Sequence, residues 1–192
     1  LLGLDNRIAK EQESFVLTLR SVRWPEDLPA LTTFDTAFTT DRVYRVIQTE
    51  GSFVLKEESA NPPLRKVYPL TNVAEELQKV DYRVVADLGG FIGGFAAAKY
   101  EAWNRRVVLW HLYVAPQHRG QGIGRTLLDA VMTFARSTAA RCVWLETQNI
   151  NYPAIQFYRR AGFRLCGLDA SLYDPQGPSG EEIALFFVHD LV

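Results

Sequence analysis

The sequence predicts one α/β domain organised around a mixed β-sheet flanked by helices. Several short β-forming runs are followed by segments in the order β, α, β, α, β, β, which suits a mixed sheet with helices packed on it. Apolar Ile123, Leu127, Val131 and Phe134 recur at helical spacing, so a helix with one buried face is expected over about residues 122–140. The apolar runs 91–100 and 105–114 are joined only by Glu101, Ala102, Trp103 and Asn104, which makes them antiparallel neighbours.

Taken along the chain, residues 15–22 are rich in β-formers and give the first strand. Trp24, Pro25 and Glu26 form a turn from which a helix starts at Asp27, and a short helical segment is expected to continue through Phe34, Ala37 and Phe38. Runs 43–47 and 52–56 flank Glu50 and Gly51 and read as a hairpin. Asn72 caps a short helix, residues 82–87 form a strand, and Gly89 and Gly90 turn the chain into the antiparallel pair. After the long helix come a strand at 142–146, a helix opened by Pro153 and closed near Ala161 and Gly162, and strands at 163–168 and 183–188.

Composition narrows the function. The 192 residues, 47% of them hydrophobic, suffice for one good core, and 21 basic against 22 acidic residues leave a net charge of -1. Such a balance provides no uniform field for nucleic acid or an anionic membrane, so neither is expected as a partner. No apolar run approaches the roughly 20 residues of a membrane span, and the N-terminal stretch lacks a basic-then-apolar signal pattern. Cys142 and Cys166 have apolar neighbours and no CxxC or histidine at metal spacing; both are read as reduced core residues, and no metal is expected. A cytoplasmic location is expected on these grounds.

The stretch from Val114 to Gly124 joins a buried strand to the amphipathic helix. Gly120, Gly122 and Gly124 permit backbone conformations closed to other residues and let a ligand approach the N–H groups. The first N–H groups of the helix lack intrahelical acceptors and sit at the positive end of its dipole, which suits a pyrophosphate. A dinucleotide fingerprint needs a third glycine where Leu127 stands, and a P-loop needs GK followed by Ser or Thr where Gly124, Arg125 and Thr126 follow too short a spacing. The pattern present is RxxGxG, as Arg119, Gly122 and Gly124. A second block, Asn151, Ala154, Tyr158, Gly162 and Phe163, spells NxxAxxxYxxxGF.

On these residues, over about residues 82–188, the chain resembles the GNAT superfamily of acyl-CoA-dependent N-acyltransferases. The resemblance implies a GNAT-like α/β fold, a mixed and mostly antiparallel sheet flanked by helices, with acetyl-CoA (coenzyme A) as co-substrate. It implies one domain over 1–192, with 82–188 as the acyl-CoA-binding core and 1–80 as the acceptor side. Leu112, Tyr113 and Val114 would pair with the pantetheine arm, and Arg119, Gly120, Gln121, Gly122, Ile123, Gly124 and Arg125 would hold the pyrophosphate. Asn151 and Ala154 would adjoin the same ligand, although Asn151 equally suits a helix cap. Tyr158 would protonate the departing thiolate, which a phenol of pKa about 10 is able to do.

Direct attack of a neutral amine also requires a base. His111, Tyr113, Glu146 and Glu101 are candidates, with Glu146 and His111 carried forward; His111 faces either the cleft or the opposite packed layer. Trp103 to Arg106, Leu145 to Gln148, Phe157 to Arg160, Leu165 to Asp169, Leu172 to Asp174 and Glu182 to Leu185 resemble the streptothricin acetyltransferase branch, as do Asp35 and Phe38 to Asp41. That resemblance implies a small cationic amine as acceptor and antibiotic resistance as the role. Asp35, Trp103, Trp110, Glu146, Tyr173 and Glu182 are the candidate acceptor-binding residues, with Asp169 and Asp174 as further carboxylates near the cleft. The chain departs from the branch at Trp110, His111 and Tyr113, where acidic residues are expected and aromatic faces stand instead. The alternatives are another amine acceptor, such as a polyamine, an amino acid or a protein amine, and a non-catalytic acyl-CoA-binding module. A homodimer is the expected assembly, dimers being the commonest closed oligomer.

Overall fold

The computed structural model describes residues 16–177 and 182–191. Its elements in chain order are β1 (Leu17–Ser21), α1 (Leu28–Thr32), β2 (Phe38–Thr49), β3 (Ser52–Lys66), α2 (Val73–Gln78), β4 (Tyr82–Leu88), β5 (Ile92–Glu101), β6 (Arg106–Val114), α3 (Ile123–Arg136), β7 (Cys142–Gln148), α4 (Tyr152–Arg160), β8 (Arg164–Asp169) and β9 (Ala184–Asp190). Seven strands form one sheet in the order β1-β4-β5-β6-β7-β9-β8, and β2 with β3 forms a separate hairpin. Among the described residues every pairing is antiparallel except β6 with β7. The mixed, mostly antiparallel sheet with flanking helices is therefore the architecture expected.

Two cores sandwich the sheet. On one face Ile123, Leu127, Val131 and Ala135 of α3 bury against Ala96, Ala98, Val107, Leu109, Val143 and Leu145. Leu127 and Val131 are fully buried, each contributing about 1.5–3 kcal/mol through the apolar surface removed from water. On the other face Leu31 of α1 and Val73 and Leu77 of α2 cover Val85, Phe95 and Ala97. The small side chains of 96–98 alternate between these faces and let helices close on β5 from both sides.

Gly94 shows how tightly β5 and β6 pack. A Cβ there would lie 2.7 Å from the Tyr113 carbonyl oxygen and 3.0 Å from Leu127 Cδ1, and the carbonyl is backbone that cannot swing aside. Gly94→Ala is expected to cost about 1–3 kcal/mol of stability. Urea unfolding with an unchanged midpoint would show that the strands relax freely.

Four expectations are corrected. The helical segment through Phe34, Ala37 and Phe38 does not form: the Thr33 hydroxyl turns back onto Pro29 O at 2.8 Å, Thr36 Oγ1 donates to Tyr68 O at 2.7 Å, and Phe38 already opens β2. The hairpin turns at Glu50 and Gly51 as expected, but its arms run 12 and 15 residues. α3 stops at Arg136, short of Ala140, because the hydroxyls of Ser137 and Thr138 take the Phe134 and Ala135 carbonyls at 2.7 Å each. Cys142 is buried, whereas Cys166 is exposed on the edge strand β8, its thiol donating to Phe186 O at 3.4 Å. Phe15, where the first strand was expected to begin, lies outside the described residues; the strand itself is β1.

A splayed pair of strands forms the candidate active site

The register of β6 creates the site. Ala97 pairs with His111 and Ala98 with Leu109, so Trp110 is an extra residue that bends the strand. Pairing of β6 with β7 ends at Leu109 and Leu145, so Trp110 to Val114 diverge from Glu146 to Gln148. Between them lies a cavity of about 550 Å³, a size usual for small-ligand pockets. Trp110, Leu112, Tyr113 and Val114 line one wall, and Glu146, Gln148, Asn151, Ala154 and Tyr158 the other.

At the mouth stands the glycine loop. Arg119 Nε bonds Val114 O at 2.9 Å, folding the loop back on the strand end, and Gly120 and Gly122 adopt φ of 77° and 86°, left-handed conformations that strain any residue with a Cβ. The first helical bond of α3 is donated by Thr126 to Gly122 O at 3.0 Å, so the N–H groups of Ile123, Gly124 and Arg125 precede it at the positive helix end. Ala115 N–H is bonded to Gly93 O at 3.0 Å; strand alternation then turns the Val114 N–H away from β5, into the gap. Gln121 braces the loop through Gln117 O at 3.3 Å, Arg125 Nε is paired with Asp129 at 2.9 Å, and the Ile123 side chain is in the core. The loop is thus a row of backbone donors in a positive field, suited to phosphate oxygens.

Titratable groups stand on both walls and around them. Asn151 caps α4, its Oδ1 accepting from Ala154 N at 3.3 Å, and two turns of helix place Tyr158 in the cavity. Tyr158 is 8% exposed, and burial raises its phenol above the ordinary value, keeping it protonated. Burial pushes the Tyr113 phenol up to about 12. Burial also raises the Glu146 carboxyl, an effect opposed by a hydrogen bond from the Tyr173 hydroxyl. Glu182 is buried and ion-paired with Lys66, and Asp35, whose Oδ1 caps Ala37 N at 2.9 Å, acts through its charge on Arg119.

Of the candidates, Asp35, Gln121, Ile123, Asp169, Tyr173, Asp174 and Glu182 do not line the cavity, and Trp103, Glu101 and His111 are turned away from it as well. Trp103 is 82% exposed in the β5–β6 turn, at the end of β6 opposite the loop, and Glu101, the last residue of β5, pairs with Lys99 at 3.0 Å. The residue added at Trp110 turns His111 onto the α2 face, where Nε2 lies 3.0 Å from Glu76 Oε2 beside the Phe95 ring; burial holds it below the ordinary histidine range. Sequence reasoning missed Tyr68, which enters the cavity from the end of the hairpin and stacks on Phe38 at 5.9 Å between ring centroids. Nothing in its local pattern marks it, since its place depends on the path of β3.

The model of the acetyltransferase (GNAT) family matches residues 41–163. The chain belongs to the acetyltransferase (GNAT) family. With its relatives taken together it is an N-acetyltransferase, and the likeness to them reaches beyond the matched segment. It is 43% identical over 169 residues to the streptothricin acetyltransferase of Streptomyces lavendulae, covering 84% of this chain and 89% of that one. The crystal structure of nourseothricin acetyltransferase superposes with a TM-score of 0.83 at 40% identity, covering 92% of this chain and 99% of that one. A protein of Bacillus anthracis str. Ames solved in complex with acetyl coenzyme A shares the fold, with a TM-score of 0.74 at 23% identity over 92% and 98% of the two chains. Among the described residues no helix is long and apolar enough to cross a membrane, and no group of three or more His, Cys, Asp or Glu is placed to hold a metal ion.

Proposed function

We propose that this protein transfers the acetyl group of acetyl-CoA to an amine of streptothricin, with resistance to that antibiotic as the consequence. The observation that carries the proposal is that one cavity runs from the phosphate-type loop at Gly122 to both Tyr158 and Glu146. The likeness to streptothricin acetyltransferases over most of the chain selects the acceptor.

Acetyl-CoA would lie with its pyrophosphate on the N–H groups of 120–125, beside Arg119, and its pantetheine along Leu112 to Val114, with Asn151 and Ala154 across the gap. The acceptor, deprotonated through Glu146, attacks the thioester carbon; the carbonyl oxygen gains charge and accepts the Val114 N–H; the carbon–sulfur bond breaks; and the Tyr158 proton passes to the thiolate. Holding both substrates in one cleft supplies the orientation. Neither cysteine is required as a nucleophile. For a cationic acceptor, Glu146 provides charge and Trp110, 39% exposed in the cavity wall, a ring face. Tyr173 and Glu182 act behind Glu146 rather than as direct contacts, because the Tyr173 hydroxyl is given to Glu146 and Lys66 offsets the Glu182 charge.

Thiol release from acetyl-CoA by the purified protein, with streptothricin beside spermidine, lysine and a lysine peptide, tests this reading. Preferential turnover on streptothricin is expected. Turnover confined to another amine would discard the drug, and none with any amine despite acetyl-CoA binding would indicate an acyl-CoA-binding module.

A further inference from the structure

Behind Glu146 lies a chain of hydrogen bonds whose donors all point the same way. It begins at the cap of α4. Because Asn151 Oδ1 accepts the Ala154 N–H, its Nδ2 faces the cavity, where it donates to the Tyr68 hydroxyl at 3.3 Å. Tyr68 has one proton and gives it to Gln148 Oε1 at 2.5 Å. That contact fixes the Gln148 amide, whose Nε2 donates to the Tyr173 hydroxyl at 2.8 Å. The remaining proton, that of Tyr173, goes to Glu146 Oε1. Tyr173 is itself held in a turn where Asp169 Oδ1 accepts from Ser171 N and Oγ at 2.7 Å each.

Direction matters here. An ionised carboxylate only accepts, so the chain ends correctly on ionised Glu146, which takes the Tyr173 hydroxyl more strongly than a neutral carboxyl does. Reversing it would require turning the Gln148 amide and breaking the helix cap. Aligned hydrogen bonds also polarise one another, so the last donor is strengthened by those behind it.

We propose that Tyr173 is the positioning residue of Glu146, with Gln148, Tyr68 and Asn151 setting the direction of its hydroxyl so that the carboxylate is held ionised and aimed at the acceptor amine. This rests on Glu146 being the base in the proposed function. The α4 cap at the coenzyme side thereby fixes the proton acceptor on the amine side, although no residue of the chain except Glu146 need touch the migrating proton.

Two readouts in Tyr173→Phe, Gln148→Met and Tyr68→Phe test the assignment: a carbon-NMR titration of the Glu146 carboxyl, assigned with Glu146→Gln, and the pH profile of kcat/KM for whichever amine turns over. The Glu146 titration is expected to move to higher pH, most in Tyr173→Phe, less in Gln148→Met and least in Tyr68→Phe. On the acid limb kcat/KM should fall about tenfold in Tyr173→Phe, the usual worth of a hydrogen bond to a charged group, with a much smaller change on the plateau. A titration in Tyr173→Phe coincident with the wild type, or an effect of Tyr68→Phe equal to it, would overturn the inference. Should Tyr173→Phe fail to fold, the Gln148→Met titration decides, an unmoved curve again overturning it. A titration that moves as stated while the kcat/KM limb stays put would leave Tyr173 as the residue that positions Glu146 and remove Glu146 as base.

Discussion

Tyr158→Phe is expected to lower kcat by about 10²–10³-fold while changing KM for acetyl-CoA by less than about threefold, the loss typical of removing a positioned general acid. Burial raises the Tyr158 phenol and so keeps its proton in place at neutral pH. A donor fixed beside the departing sulfur protonates the thiolate as it forms, which is the source of that loss. Phenylalanine keeps the packing: the ring sits 5.3 Å from Phe157 and 5.7 Å from Phe163 between centroids, and both contacts survive loss of the hydroxyl. Stability should therefore change by less than about 1 kcal/mol. The measurement is steady-state thiol release combined with urea unfolding. A kcat within about threefold of wild type, in a normally folded variant, would place the acid elsewhere.

The glycine loop was legible because three alternate glycines opening an amphipathic helix form a local pattern, and local patterns survive in sequence. The bend at Trp110 was not. Val107 and Leu109 face the α3 core, and strict alternation would put His111 and Tyr113 on that same face. The extra residue reverses the alternation, sending His111 and Tyr113 to the face covered by α1 and α2. A bulge belongs to the pairing of two strands, so a single strand's residues do not reveal it. The distance of Trp103 from the loop was hidden for a related reason: a likeness to relatives says nothing of distance, and nine residues of β6 separate its turn from the loop by on the order of 25 Å.

The hairpin hid Tyr68 in another way. Pro62 and Pro63 lack the N–H that a strand ladder uses, yet they fall opposite the irregularity between Thr40 and Arg42, where pairing jumps from Leu64 to Ser59 and no ladder donor is needed. β3 therefore continues through them to Lys66 and delivers Tyr68 to the cavity. Its partner Gln148 lay within the stretch that resembled streptothricin acetyltransferases, but its role emerges only from the side chains around it.

Glu146→Gln should reduce kcat/KM by about 10²–10³-fold and abolish the acid limb of its pH profile, since the base works only when ionised. Burial raises the Glu146 carboxyl, so the wild-type limb should lie above the ordinary carboxylate range, with activity lost as pH falls through the raised value. Stability moves in the opposite sense. Between the ordinary glutamate value of 4.5 and the raised native value, the folded protein binds more protons than the unfolded chain, so stability present at low pH is lost as pH rises through that window. Glutamine removes this loss while keeping an oxygen to accept the Tyr173 hydroxyl, and the variant should be no less stable than wild type at neutral pH. Activity and stability thus separate in one substitution, as expected where a buried carboxylate is retained for its chemistry. Paired pH profiles of turnover and urea unfolding provide the check: an acid limb that persists in Glu146→Gln would assign the base to another group, and a marked destabilisation at neutral pH would make Glu146 a structural anchor of the cavity wall.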